Sequence, residues 1–371
     1  MNVGAIVGRA RSLVVDRPIT VALSLAGLLL LIDLFAALFV TGTLGYADFL
    51  SLLWDGLMRG LVIGLAGIGL SMTYSILNFA NFSHGDYLTA GAFMGWGATY
   101  LVAGFGEADW TELLLVGAGD SVYGPQLGIG ITQSPVAILA GLVLAGLGTV
   151  ALALLIDRLV YRSMRDSGGI SLLITSVGVA FALRYLIAFV YTQTNRGTTT
   201  SDMVPDWNVP IGDGAVIVDG HDLTLLVISV GLMVGVHLLL NRTKLGKAMR
   251  AMADNKDLAR VTGIPTERVV RWTWIIGGGL TGIAGFLLVL WRGVLTFQIG
   301  WLLLLLVFAA VILGGIGSIY GAIFGGIIIG ITMNISQIWI PTDFARAAAF
   351  AIMIVILLVR PKGIFGGRAT A

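Results

Sequence analysis

The densest polar cluster in this sequence is NFANFSHGDYL, residues 78–88, set between two glycine-rich apolar runs. Asn78, Asn81, Ser83, His84 and Asp86 bring two amides, a hydroxyl, an imidazole and a carboxylate within nine residues. Side chains of these types at this spacing can serve in two ways. Ser83 or Asn81 can cap a following helix, with Asp86 at the positive end of its dipole. Alternatively, the stretch can be a break in a helix pair that dips into a membrane bundle. There, irregular backbone is tolerated beside a cavity, and exposed helix N-termini can meet a substrate carboxylate. The absence of Lys and Arg from 78–85 favours the second use. Metal chemistry is not indicated, since the chain has three His, no Cys and no metal-ligand spacing. A G-x-S-x-G nucleophile elbow is also absent.

A second constellation is the basic stretch 241–271, NRTKLGKAMRAMADNKDLARVTGIPTERVVR, with eight basic and three acidic residues. Its apolar positions, Ala248, Met249, Met252, Leu258, Ala259, Val261 and Ile264, form an interrupted stripe. The pattern predicts two short helices, 244–254 and 256–262, ended by Gly263 and Pro265. Such a pair can lie on the membrane surface or form a docking face for a soluble partner, where small residues allow close approach and Met adapts to a groove. A phosphate-binding G-x-x-x-x-G-K-[ST] loop is missing: Ala248 follows Gly246-Lys247, and Asn241 stands at the first glycine position. If ATP drives this protein, another chain must bind it.

The elements that would carry these stretches are membrane spans. The chain is 57% hydrophobic and only 11% charged, with mean hydropathy +0.96, against about 25% charged in a soluble domain. Its 52 glycines suit close helix packing in a bilayer. We expect one membrane domain over residues 1–371, all-α, with about ten spans, eight being the alternative. The candidates are 19–40, 57–77, 86–104, 135–156, 170–191, 223–240, 272–291, 299–314, 319–338 and 344–359, the short 299–314 and 344–359 being open to re-entry. Ten spans place both termini inside. The inner segments 1–18, 78–85, 157–169, 241–271 and 360–371 then hold 17 of the 22 basic residues. The outer segments hold 12 of the 20 acids. Among these, 105–134 and 192–222 are too polar to span and are expected to form external loops or short helices. GLAGIGLS and GGGLTGIAG hint at an internal repeat.

Ionisable groups inside spans are costly and need partners. Asp33 and Arg184 are the two at depth, and Arg184 can pair with Asp33 or snorkel outward. His237 is expected to bond locally, and Asn334 and Gln337 to bond between helices.

Four stretches in this order resemble one family: NFANFSHGD at 78–86, LGKAMRAMADNKDLARVTGI at 245–264, IIGGGLTGIAGFLLVL at 275–290 and LGGIGSIYGA at 313–322. The sequence is similar there to the membrane permease subunits of branched-chain amino acid ABC importers. Where that family often carries a lysine, Leu302 to Leu306 is uninterrupted leucine. The resemblance implies a multi-pass permease of the cell membrane, paired with a second, paralogous permease. It implies two ATP-binding subunits and an extracytoplasmic solute-binding protein as partners, no nucleic acid, and no cofactor bound by this chain. ATP hydrolysis would occur on the partner subunits, so the chain itself is not an enzyme. The coupling loop would be 241–271, with Ala248, Met252, Asp254, Leu258, Ala259, Gly263 and Ile264 as contact candidates. Asn78, Asn81, Ser83, His84 and Asp86 would be candidates for the substrate path. An ion-coupled secondary transporter is the alternative, and its coupling groups would have to be Asp33 and Arg184.

Overall fold

The computed structural model of the chain describes residues 18–104, 130–165, 167–193, 195–198 and 204–366. Long apolar runs fold as helices, and their ends fall where the sequence supplies caps and breakers. Helix α1 spans Pro18–Phe35 and runs on as a π-helical turn, Ala36–Val40. Tyr46–Leu77 is α2, His84–Ala103 is α3, Pro135–Leu159 is α4 and Gly169–Tyr191 is α5. Gly220–Arg242 is α6, opened by a capping box in which Asp219 and Asp222 bond each other's backbone. Two short helices follow, α7 (Lys244–Asp254) and α8 (Lys256–Val261), capped by the side chains of Thr243 and Asn255. The last four are α9 (Thr266–Arg292), α10 (Ile299–Gly314), α11 (Ile319–Ile335) and α12 (Ala345–Val359).

Among the described residues, seven helical stretches are long and apolar enough to cross a bilayer: α2, α4, α5, α6, α9, Ile319–Ile338 and Thr342–Val359. Leu25–Val40 and Ile299–Gly314 are apolar but shorter, and α3 is buried along nearly its whole length. Against the expected span at 57–77, α2 starts eleven residues earlier, because YADFLSLLWDG continues the helix and Trp54 anchors it to Asp222 at 2.9 Å.

The core is built on glycine. Helix α2 runs antiparallel to α11, with Gly56 against Gly330 and Gly60 against Gly326; a Cβ on Gly60 would come within 2.7 Å of the Ile327 Cα. Helix α9 runs antiparallel to α4 in the same manner, with Gly282 against Ala145 and Gly278 against Thr149 and Ala153. Side chains are absent where the backbones approach, so dispersion contacts form between main chains. The α2–α11 pair thus packs as the α9–α4 pair does, and α2 and α9 cross antiparallel at Gly69 and Gly277.

The segment 192–222 departs from the expected loops or short helices. Its described part holds an antiparallel hairpin, β2 (Asp206–Ile211) with β3 (Gly214–Asp219), turned by Gly212 at φ 59°. The hairpin rests on the start of α2, where Gly214 meets Ala47. Two-residue strands at Arg196–Gly197 (β1) and Val294–Leu295 (β4) also pair. Of the expected outer segment 105–134, residues 105–129 lie outside the described residues, as do the arginines at positions 9, 11 and 17.

Candidate functional site

The polar stretch opens at the C-terminus of α2, where Asn78 takes the left-handed conformation with φ 54° and ends the helix. Residues 79–83 then climb back into the bundle instead of turning at its end. The Phe82 N–H donates to Ser176 Oγ at 2.9 Å, two turns into α5. His84 Nε2 lies 2.8 Å from the Ala66 carbonyl and 3.2 Å from Thr281 Oγ1. Ala66 stands eleven residues before the end of α2, about 16 Å along its axis, so α3 starts deep among its neighbours. Gly85 at that start packs on Gly300, whose added Cβ would sit 1.8 Å from the Gly85 carbonyl.

Every polar side chain from Asn81 to Asp86 is buried and makes at least one hydrogen bond, while Asn81 Nδ2 finds no partner among the described residues. Asn81 Oδ1 accepts from the Ser83 N–H at 3.1 Å, the Ser83 hydroxyl at 2.6 Å and Tyr161 OH at 3.3 Å. Ser83 sits at the N-cap of α3, but its hydroxyl faces Tyr161 OH at 2.8 Å and caps nothing. Tyr161 lies flat on Trp274, ring centroids 5.5 Å apart. Asp86 receives a bidentate pair from Arg184, Nε to Oδ1 at 3.1 Å and Nη2 to Oδ2 at 3.0 Å. The guanidinium lies 4.2 Å from the Trp301 ring centroid, a cation–π contact added to the charged pair. The structure therefore corrects the pairing of Arg184 with Asp33: Asp33 accepts from Trp339 Nε1 at 2.8 Å. Asn334 and Gln337 bond to one another within one helical stretch, at 3.1 Å, and not between helices. His237 bonds Tyr320 OH at 2.5 Å, close to Asn241.

A family profile described as the branched-chain amino acid transport system permease component matches residues 52–357. The chain belongs to that permease family. The high-affinity branched-chain amino acid transport system permease protein LivH of Salmonella typhimurium is 27% identical over 320 residues, covering 86% of this chain and 96% of the relative. BraD of Pseudomonas aeruginosa, which bears the same description, is 29% identical over 321 residues, with 86% and 96% covered. A probable branched-chain amino acid transport permease protein LivH of Methanocaldococcus jannaschii is 28% identical over 345 residues, covering 91% and 95%. No solved structure matches the chain. As a member of this permease family with seven membrane-length helices among its described residues, the chain is a multi-pass protein of the cell membrane.

In the permease, α7 and α8 sit between α6 and α9 at one end of the bundle, with bounds close to those expected. Met252 and Ala259 point inward and are buried, and Ala248 and Ile264 are half-buried. Asp254, Leu258 and Gly263 face outward, Gly263 at φ 87°. Val261, outside the contact candidates, is 85% exposed and the most prominent apolar side chain of the loop. Close approach of Gly246 to the Leu240 backbone and a 2.8 Å bond from Arg250 to the Leu240 carbonyl tie α7 to α6. Arg165 ties the α4–α5 turn to the same end by bonding Asp157 at 2.6 Å and Glu267.

A cavity of about 410 Å³ occupies the opposite end of the permease, between α2, α9, α10, α11 and α12. Arg59, Arg292 and Arg346 line it together with Leu302, Leu303 and Leu306. None of the residues expected on the substrate path lines this cavity. The sequence signal that could have found it is three arginines near span ends assigned outside, where basic residues are scarce.

Proposed function

We propose that this chain is the transmembrane permease subunit of an ATP-binding-cassette importer, forming the path for branched-chain or related amino acids delivered by an external binding protein. Two ATP-binding subunits would dock on the α7–α8 end and a second, paralogous permease would complete the path. This chain would bind no cofactor, ATP being used by the partners. The bundle would cross the membrane about ten times, with both termini and α7–α8 inside.

The observation that carries this reading is the α7–α8 pair. Its inner face is anchored by Gly246, Met249, Met252 and Ala259, while Leu258 and Val261 are 60% and 85% exposed. A rigidly held element that presents apolar side chains to water suits a docking contact that transmits a push into α6 and α9. In that reading Met252 and Ala259 set the rigidity, and Asp254, Leu258, Gly263 and the flanks Ala248 and Ile264 form the surface. The ion-coupled alternative is less well supported, because Asp86 is committed to Arg184 and Asp33 to Trp339.

Asn81, Ser83, His84 and Asp86, with Asn78 at the turn, would act on the path by fixing where α3 starts. Co-purification from native membranes tests the assignment. Two ATPase-type chains and a second permease are the expected companions. Recovery of the chain alone, with flux driven by a proton gradient, would sink it.

A further inference from the structure

We infer that the cavity between α2 and α9–α12 is a carboxylate-binding vestibule, in which Arg59, Arg292 and Arg346 hold the acid group of a small aliphatic solute. The inference rests on the transport reading above and goes beyond it, because it names the site and the chemical handle. Three cations converge on one space of about 410 Å³. Arg59 feels the charges of Arg292 and Arg346 and, from outside the lining, of Asp55 one turn before it on α2. Among the described residues none of the three forms a salt bridge. Asp343 is the one carboxylate on the cavity wall, which leaves a lining surplus of two positive charges. Gathering like charges in a partly enclosed space is unfavourable until an anion enters. Guanidinium groups bind a carboxylate with directed, paired N–H donors.

The rest of the lining sets the other half of the ligand. Leu302, Leu303 and Leu306 present a continuous aliphatic wall along α10. Trp291 also lines the cavity, with Arg59 5.9 Å from its ring centroid. The cavity also adjoins the buried break. Ile299 lines it, and the next residue, Gly300, packs on Gly85. The cavity wall is therefore one residue along α10 from the contact with the start of α3.

The test uses the full chain, with any co-purifying chains, in phosphatidylcholine nanodiscs. Saturation-transfer NMR reads leucine, isovalerate and leucinamide. Leucine and isovalerate should bind, and leucinamide at least about tenfold more weakly. The triple variant R59Q/R292Q/R346Q should weaken both acids tenfold or more, while R59K/R292K/R346K restores most of the binding. A melting curve for each variant separates lost binding from lost folding. Equal binding by the glutamine variant, or by leucinamide, would overturn the vestibule while leaving the permease reading intact. Binding of isovalerate without leucine would uphold the vestibule and overturn the branched-chain amino acid reading. If no acid binds in phosphatidylcholine and the arginines retain only phosphatidylglycerol in mixed discs, the site is a lipid headgroup contact and the inference fails.

Discussion

Two places in this bundle share one backbone device. Helix α2 ends at Asn78 with φ 54°, and α9 ends at Gly293 with φ 64°. Each is followed by a short non-helical stretch, which after Gly293 includes strand β4, and then by a helix that begins inside the bundle, α3 at His84 and α10 at Ile299. The two starts meet at Gly85 and Gly300. Their surroundings differ. The first break is closed: its amide, hydroxyl, imidazole and carboxylate are each bonded to protein, and Asp86 is wholly buried. The second break borders the cavity with three arginines. A mirrored pair of breaks thus separates two tasks. One half fixes helix depth with a buried polar network, and the other gathers cations where a solute can reach them.

Breaking the closed side should cost the most. Asp86→Leu or Arg184→Met alone leaves a buried charge unpaired and should destabilise the fold by about 3–5 kcal/mol. The double variant should lose less than either single, as measured by the melting temperature of the purified chain. Singles that melt like the parent would show that the pair carries little. Next, Gly300→Ala forces a methyl onto the Gly85 carbonyl and should cost about 1–3 kcal/mol or more, with a drop in membrane yield. Ser83→Ala removes the bond to Tyr161 and should cost about 1 kcal/mol while leaving solute affinity unchanged. A change in affinity there would mean the first break is not sealed. The smallest effect on stability, within about 0.5 kcal/mol, belongs to Val261→Asp on α8, since the side chain is exposed. Transport should nevertheless collapse, because the exposed apolar surface is lost. Normal uptake together with normal ATPase stimulation would remove α8 from the coupling contact.

Much of this was legible in one dimension. The bounds of α7 and α8 follow from local signals, with Thr243 and Asn255 as caps and Gly263 beyond the end. The polar break was visible because its residue types clash with the apolar runs on both sides. Composition and four ordered motifs pointed to the family. Local chemistry acts over a few residues, so a sequence can display it.

Only the tertiary structure decided which polar groups answer one another. Arg184 finds Asp86 from 98 residues away, not Asp33, because the re-entrant start of α3 brings the carboxylate beside α5. Three arginines from α2, α9 and α12 become one site only when those helices pack. The hairpin at 206–219 forms where the start of α2 offers it a surface. The sequence by itself determined that this chain lives in a membrane, sets a polar stretch between two apolar runs and carries a charged loop. Partnership, depth and the sealing of one break against the other came from packing, since each depends on contacts that no stretch of neighbouring residues contains.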